Sequence, residues 1–372
     1  MNMYTKAAVA LLLAVPGLSP APAARAQNPD TWASLRAEQV TKLQALTGTY
    51  EGQIGGKYAI RLQLSAGEAD TLLTGMYYYL SKGQPLELKG FTRPTVPTQA
   101  LELRENTSAT AEATGWFTIG LGQANEPEVL GQWFNASGTA LLPVKLRRVG
   151  GAARPTGLVA HVTPKTYLNS FRVPVVTVPD AGVTRLLAHW FSLQNLTNDD
   201  VAGLRQQLTE HSGTQSADYS VNYNARGLLS LTAQTEGLGA SVWYDSKTVN
   251  LDLVSGFPIQ LANELRPELL PQFLAVGQRK LAVKAKECVA GQGDFLSAED
   301  QAGVLGQEFS LGSTEEYTIG AGGLVFDHPV SYDGLSNFVW KVLQGSFPVT
   351  FTYAELRPFL KPDSPLRRLL PQ

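Results

Sequence analysis

From Gly48 to about Arg148 the chain alternates apolar and polar residues in short runs, and this period of two leaves few folds open. "KYAIRLQL" sets Tyr58, Ile60, Leu62 and Leu64 against Lys57, Arg61 and Gln63. Successive side chains of a strand point to opposite faces, so the run reads as a strand with one face buried. "PLELKG", "QALELRE" and "LLPVKLRR" repeat the pattern, and "SKGQ" at 81–84 is a glycine-containing turn. Gly-x-aromatic recurs at Gly48/Tyr50, Gly75/Tyr77, Gly115/Phe117 and Gly131/Trp133. Residues two apart share a face, so each glycine leaves room for a neighbouring ring to lie across the backbone. About eight such strands predict an antiparallel meander, as a small up-and-down barrel or a strongly coiled sheet, because closure removes exposed edges. A short amphipathic helix carrying Trp32, Leu35, Val40, Leu43 and Leu46 on one stripe precedes it.

The second half has a different grammar. "GGAARPTG", 150–157, is aperiodic and reads as a linker. Val183, Leu186, Leu187, Trp190 and Phe191 then recur at helical spacing behind Asp180, a natural cap. Thr197 and Asp200 stand in capping-box-like spacing before Val201, Leu204 and Leu208. Strands return in "ADYSVNYNA", "GLLSLTAQTEG", "GASVWYD" and "TVNLDLV"; a long helix is expected from about Pro267 to Cys288, and another over Leu335, Phe338, Val339, Val342 and Leu343. Helices and strands in separate runs predict an α+β fold built on an antiparallel sheet. The expected division is a signal peptide over 1–26, a helix plus antiparallel β-domain over 27–149, a linker over 150–164 and an α+β domain over 165–372.

The first residues carry Lys6, an apolar run from Ala7 to Leu18 and Ala24-Arg25-Ala26, the features of a secretory signal cut before Gln27. The expected location is therefore periplasmic or secreted. No later apolar run approaches a membrane span, and no cysteine stands at the cleavage site to carry a lipid anchor. The formal charge of −2 becomes −4 once Lys6 and Arg25 leave, which argues against a nucleic-acid partner. Cys288, the single cysteine, has no partner for an intramolecular disulfide and reads as a thiol late in a helix.

Residues that carry chemistry are sparse. No G-x-S-x-G occurs, and His161, His189, His211 and His328 are scattered. His189 reads as exposed, His211 as complementing a helix end, and Asp327-His328 as neighbours pointing to opposite faces of a strand. Neither H-E-x-x-H nor a cysteine pair is present, so no metal or cofactor is expected. In "NLDLVSGFPIQL", 250–261, the expected hairpin turns at Ser255-Gly256 and sends Val249, Leu251 and Leu253 to the core, leaving Asn250 and Asp252 on a solvated face. Trp116, Trp243 and Tyr244 are the candidate ligand-binding residues, as flat rings that stack on sugars or anchor a protein, against the alternative that they are core.

The run "YSVNYNARGLLSLTAQTEGLGASVWYDSKTVNLDLVSGFPIQLANEL", with the long helix, the later strand pair and "PVTFTYAELRPFL", resembles the C-terminal extracytoplasmic domain of RsiV-type lysozyme-sensing anti-sigma factors. That domain also accompanies some peptidoglycan deacetylases. The resemblance covers residues 165 to about 365 and implies a binding or sensing module of the cell envelope, contacting peptidoglycan or a protein such as lysozyme. The sequence departs from the family at Gly239-Ala240-Ser241, where members often carry Gly-Ala-His, and has neither a sigma-binding part nor a deacetylase domain. A non-catalytic exported binding protein is the expectation, and a cell-wall or glycan hydrolase with a carboxylate pair invisible in sequence is the alternative.

Overall fold

A computed structural model describes residues 37–66, 73–92, 100–106, 113–121, 126–153, 155, 157–292, 295–328 and 347–371. The expected signal peptide, the start of the first helix and the helix over Leu335–Leu343 lie outside them.

Eight strands, β1 (Gly48–Ile54), β2 (Tyr58–Ala66), β3 (Leu73–Tyr79), β4 (Pro85–Thr92), β5 (Ala100–Asn106), β6 (Gly115–Gly120), β7 (Glu128–Asn135) and β8 (Leu141–Val149), form an antiparallel meander. β8 returns to pair with β1, closing the barrel. The alternation in sequence becomes inside and outside: Ile60, Leu62 and Leu64 are buried with Tyr50, Tyr77, Leu103 and Phe117, while Tyr58 at the strand start is exposed. Helix α1 (Ala37–Leu46) adds Leu43 and Leu46 to this core. The glycine expectation holds at Gly115, where a Cβ would stand 3.0 Å from the Trp133 ring. At Gly48, Gly75 and Gly131 the nearest groups are instead the Arg148 guanidinium or neighbouring backbone and aliphatic atoms. The vacancy at Gly115 lets Trp133 Nε1 donate to buried Glu105 at 3.1 Å, a carboxylate also bonded by Thr114 at 2.5 Å and by Tyr77. Leaving a buried carboxyl without such partners is costly.

The second half holds a five-stranded sheet ordered β13 (Val242–Asp252), β12 (Leu228–Leu238), β11 (Gly213–Ala225), β10 (Phe171–Thr177) and β9 (His161–Tyr167). It is antiparallel except where β10 meets β11 in parallel, Phe171 opposite Ala217. Such a joint needs a crossover, supplied by α2 (Ala181–Trp190), α3 (Leu193–Thr197) and α4 (Val201–Glu210). Asp180 caps α2, accepting from Gly182 and Val183 N–H. Asp200 itself, rather than a Thr197 box, caps α4; Thr197 ends α3 with its hydroxyl on Leu193 O. Asp200→Ala is expected to cost about 1 kcal/mol, measured as a shift in the urea midpoint. His211 is the left-handed C-cap of α4, and His189, expected exposed, is half-buried beside Trp190.

Beyond the sheet come α5 (Leu261–Glu264), the long α6 (Leu270–Gln292) and α7 (Ala298–Leu305), with Cys288 half-buried late in α6 and its thiol pKa pushed up by burial. A three-stranded sheet, β14 (Tyr317–Ile319), β15 (Gly323–Asp327) and β16 (Pro348–Thr352), closes over them. Their core centres on Phe273, stacked on Phe351 at 4.7 Å and edge-on to Phe326 and Phe359. β14 bonds to the larger sheet through side chains: Asn250 Nδ2 donates to Tyr317 O at 2.6 Å, and Ile319 N–H to Ser230 Oγ at 3.3 Å. Asn250 therefore faces a second sheet, not water. Among the described residues no helix is long and apolar enough to cross a membrane.

The outer face of β2, which the alternation sets opposite the core with Arg61 on it, is covered by α2. Arg61 is buried, with Nη2 2.8 Å from Asp180 and Nη1 3.3 Å from the Tyr78 hydroxyl, which donates to Ser255 O at 2.8 Å. Burial alone raises the Asp180 pKa, but the Val183 and Gly182 N–H groups and Arg61 together hold it below its usual value. Tyr78, Leu186 and Phe257 form the apolar centre of this contact, and Asn263 Nδ2 reaches Ser65 Oγ at 2.9 Å.

Candidate functional site

Where the ends of β1, β2 and β8 approach the turn after β13, α5 and the chain at 361–365, a cleft of about 620 Å³ opens between barrel and α+β half. That volume is typical of small-ligand sites. On the barrel wall Arg148 donates to Ala45 O, to Thr47 O at 2.7 Å and to the Tyr50 hydroxyl at 2.8 Å. It closes the C-terminal end of α1, where free carbonyls attract a cation.

On the opposite wall an isolated antiparallel bridge joins Leu265 to Leu360, and Lys361 N–H donates to Glu264 O at 2.9 Å. This register sets Glu264 opposite Lys361, the relation in which side chains of paired segments are neighbours. Glu264 is half-buried and lines the cleft, and desolvation pushes its pKa up to about 7. The Ser364 hydroxyl and Lys361 pull the other way, while Asp363 and Asp252 add to the rise. A carboxyl raised in this way keeps its proton to higher pH than a free one, so it can donate as well as accept a hydrogen bond.

Asp252 corrects the sequence expectation. It is 7 % exposed and lines the cleft, but its oxygens are committed: Oδ1 takes Arg368 Nη1 at 2.7 Å and Val254 N–H at 3.0 Å, and Oδ2 takes the Ser255 hydroxyl at 2.9 Å. Gly256 follows at φ 82°, the turn expected there, although the second arm makes only one bridge, Leu251 to Pro258, and no strand. Asp252 is scaffold, as a buried ion pair rather than a solvated face.

None of the three aromatic candidates lines the cleft. Trp116 is half-buried on the barrel exterior, stacked on Phe134 at 5.2 Å beneath Gly138. Trp243 lies across Gly237, the residue it pairs with on β12, and Tyr244 beside it is 77 % exposed. Sequence reasoning missed Glu264, Lys361 and Asp363, for which no local motif exists. It also missed the partner of His328: Ser313 Oγ lies 3.0 Å from its Nδ1. Both residues are buried, burial lowers the His328 pKa, and neither lines the cleft.

No family model matches the chain, and no curated protein matches it. Among solved structures it is similar to a DUF3298 family protein from Pseudomonas aeruginosa, at 17 % identity and TM-score 0.36, over 60 % of this chain and 99 % of that one. A DUF3298 member from Bacteroides fragilis is similar at 12 % identity and TM-score 0.34, over 59 % and 99 %. Likenesses this distant bring no residue or activity across.

Proposed function

We propose that the chain is an exported two-domain protein of the cell envelope, periplasmic or secreted, that binds or senses peptidoglycan or an extracytoplasmic protein through the cleft between its two halves. The observation that carries this reading is the cleft itself, with walls from both halves and with Glu264 and Lys361 side by side in it. The apolar leader and the resemblance to the RsiV-type domain supply the location and the ligand classes. The test is calorimetric titration of the purified protein with soluble peptidoglycan fragments and with lysozyme. Binding to one of them, weakened at least about tenfold by Ala262→Trp, which fills the cleft mouth from an exposed position, is expected. Binding indifferent to that change, or no binding, sinks the reading.

A hydrolase is the second reading, favoured by one observation: a general acid must hold its proton near neutral pH, as the Glu264 carboxyl is poised to do. Clearing of cell wall in a zymogram, lost in Glu264→Gln, would establish it in place of the binder.

A further inference from the structure

The polar groups of the cleft divide into those spent on the fold and those still open to a ligand. Arg148 is committed to the end of α1, Asp252 to Arg368, and Glu268 to Arg266 at 2.7 Å. Glu264, Lys361 and Asp363 are left, one cation and two acids lining the same cleft. Asp363 is exposed and lines the same cleft, and its charge bears on Glu264 and on Tyr50 of the barrel. Among the described residues no side-chain hydrogen bond ties down Lys361 Nζ or the Asp363 carboxylate.

We infer that the cleft takes a small zwitterion, an amino acid or the free end of a short peptide, with its ammonium between Glu264 and Asp363 and its carboxylate on Lys361. This rests on the cleft being the ligand site proposed above. A neutral sugar would strip water from Lys361 and Asp363 without giving charge back, and a polyanion would meet two acids. A bare cation would answer the acids and leave Lys361 unmatched, whereas a ligand of both signs answers all three groups. An arriving ammonium favours the ionised form of Glu264, so binding near neutral pH drives off part of a proton, which a ligand lacking the ammonium does not do.

The experiment is calorimetric titration at about pH 7 in two buffers of different ionisation enthalpy, using dialanine, N-acetyl-dialanine, dialanine amide and glycine, with peptidoglycan fragments alongside. Dialanine is expected to bind with proton release, and each blocked form to bind at least about tenfold more weakly, since each loses a charge-assisted hydrogen bond. Glu264→Gln should abolish the proton release. Asp363→Asn, at an exposed position, should weaken dialanine about tenfold without moving the melting temperature. Glycine matching dialanine points to a free amino acid, and dialanine alone to a peptide end. Equal binding of dialanine and its acetylated form overturns the inference. So does failure of both zwitterions while fragments still bind in a cleft blocked by Ala262→Trp, a result that leaves the proposed site standing. If neither zwitterions nor fragments nor lysozyme bind, both fall.

Discussion

Asp252→Ala is expected to remove about 3–5 kcal/mol of stability, because it leaves a buried guanidinium without its counter-charge. Arg368 is 1 % exposed and ties three distant segments together: Nε donates to Gly151 O at 2.6 Å, beyond the barrel, and Nη1 to Gly227 O at 3.2 Å and to Asp252 at 2.7 Å. Its own carbonyl accepts from Arg226 at 3.1 Å, which anchors the closing 3-10 turn Pro365–Leu369. Truncating Asp245, exposed on the same strand, should move the denaturation midpoint by less than about 0.5 kcal/mol. The double change Asp252→Ala with Arg368→Met should recover much of the loss, since replacing both members of a buried pair removes the desolvation penalty along with the attraction. If urea unfolding finds Asp252→Ala no worse than the Asp245 control, the buried pair does not hold the C-terminus in place.

The barrel was legible in the sequence because each strand needs only its own alternation to declare which face is inside, and neighbours along the chain are neighbours in space. The same rule failed where a second layer arrives from far away. Asn250 and Asp252 alternate correctly with Leu251 and Leu253, yet their face is covered by β14 and by Arg368, the latter 116 residues further on. Arg61 misled in the same way, its outward face being closed by α2. A period of two reports which residues share a face; it does not report whether the other face stays wet. The cleft was illegible for a related reason. Glu264 acquires its raised pKa chiefly from burial, and Ser364, Lys361 and Asp363, which modulate it, come beside it through a non-local bridge that neither "LANEL" nor "LKPDS" signals. Of the aromatic residues singled out by type, Trp116 stacks on Phe134 and Trp243 lies over Gly237, while Tyr244 stays exposed.

Glu264→Gln is expected to stabilise the protein at alkaline pH and leave it unchanged in acid. Burial raises the folded-state pKa of this carboxyl from 4.5 to about 7, so between those values the native chain binds more protons than the unfolded one. Stability then falls as pH rises through that window, and above it the ionised, half-desolvated carboxylate costs up to about 3 kcal/mol. Asp180 works in the opposite sense: its folded pKa is depressed, so its contribution is present above its ordinary value of 3.8 and is lost as pH falls below it. The two windows do not overlap, which separates their effects. Urea unfolding of the native chain and of Glu264→Gln should give equal free energies near about pH 4.5, and a gap favouring the variant that opens and levels off by about pH 8. Glutamine keeps a hydrogen-bonding partner for Ser364, so loss of that contact does not mask the gain. A gap of the same size at both ends would mean that Glu264 titrates alike in the folded and unfolded chains, and the proton release expected on zwitterion binding would lose its source.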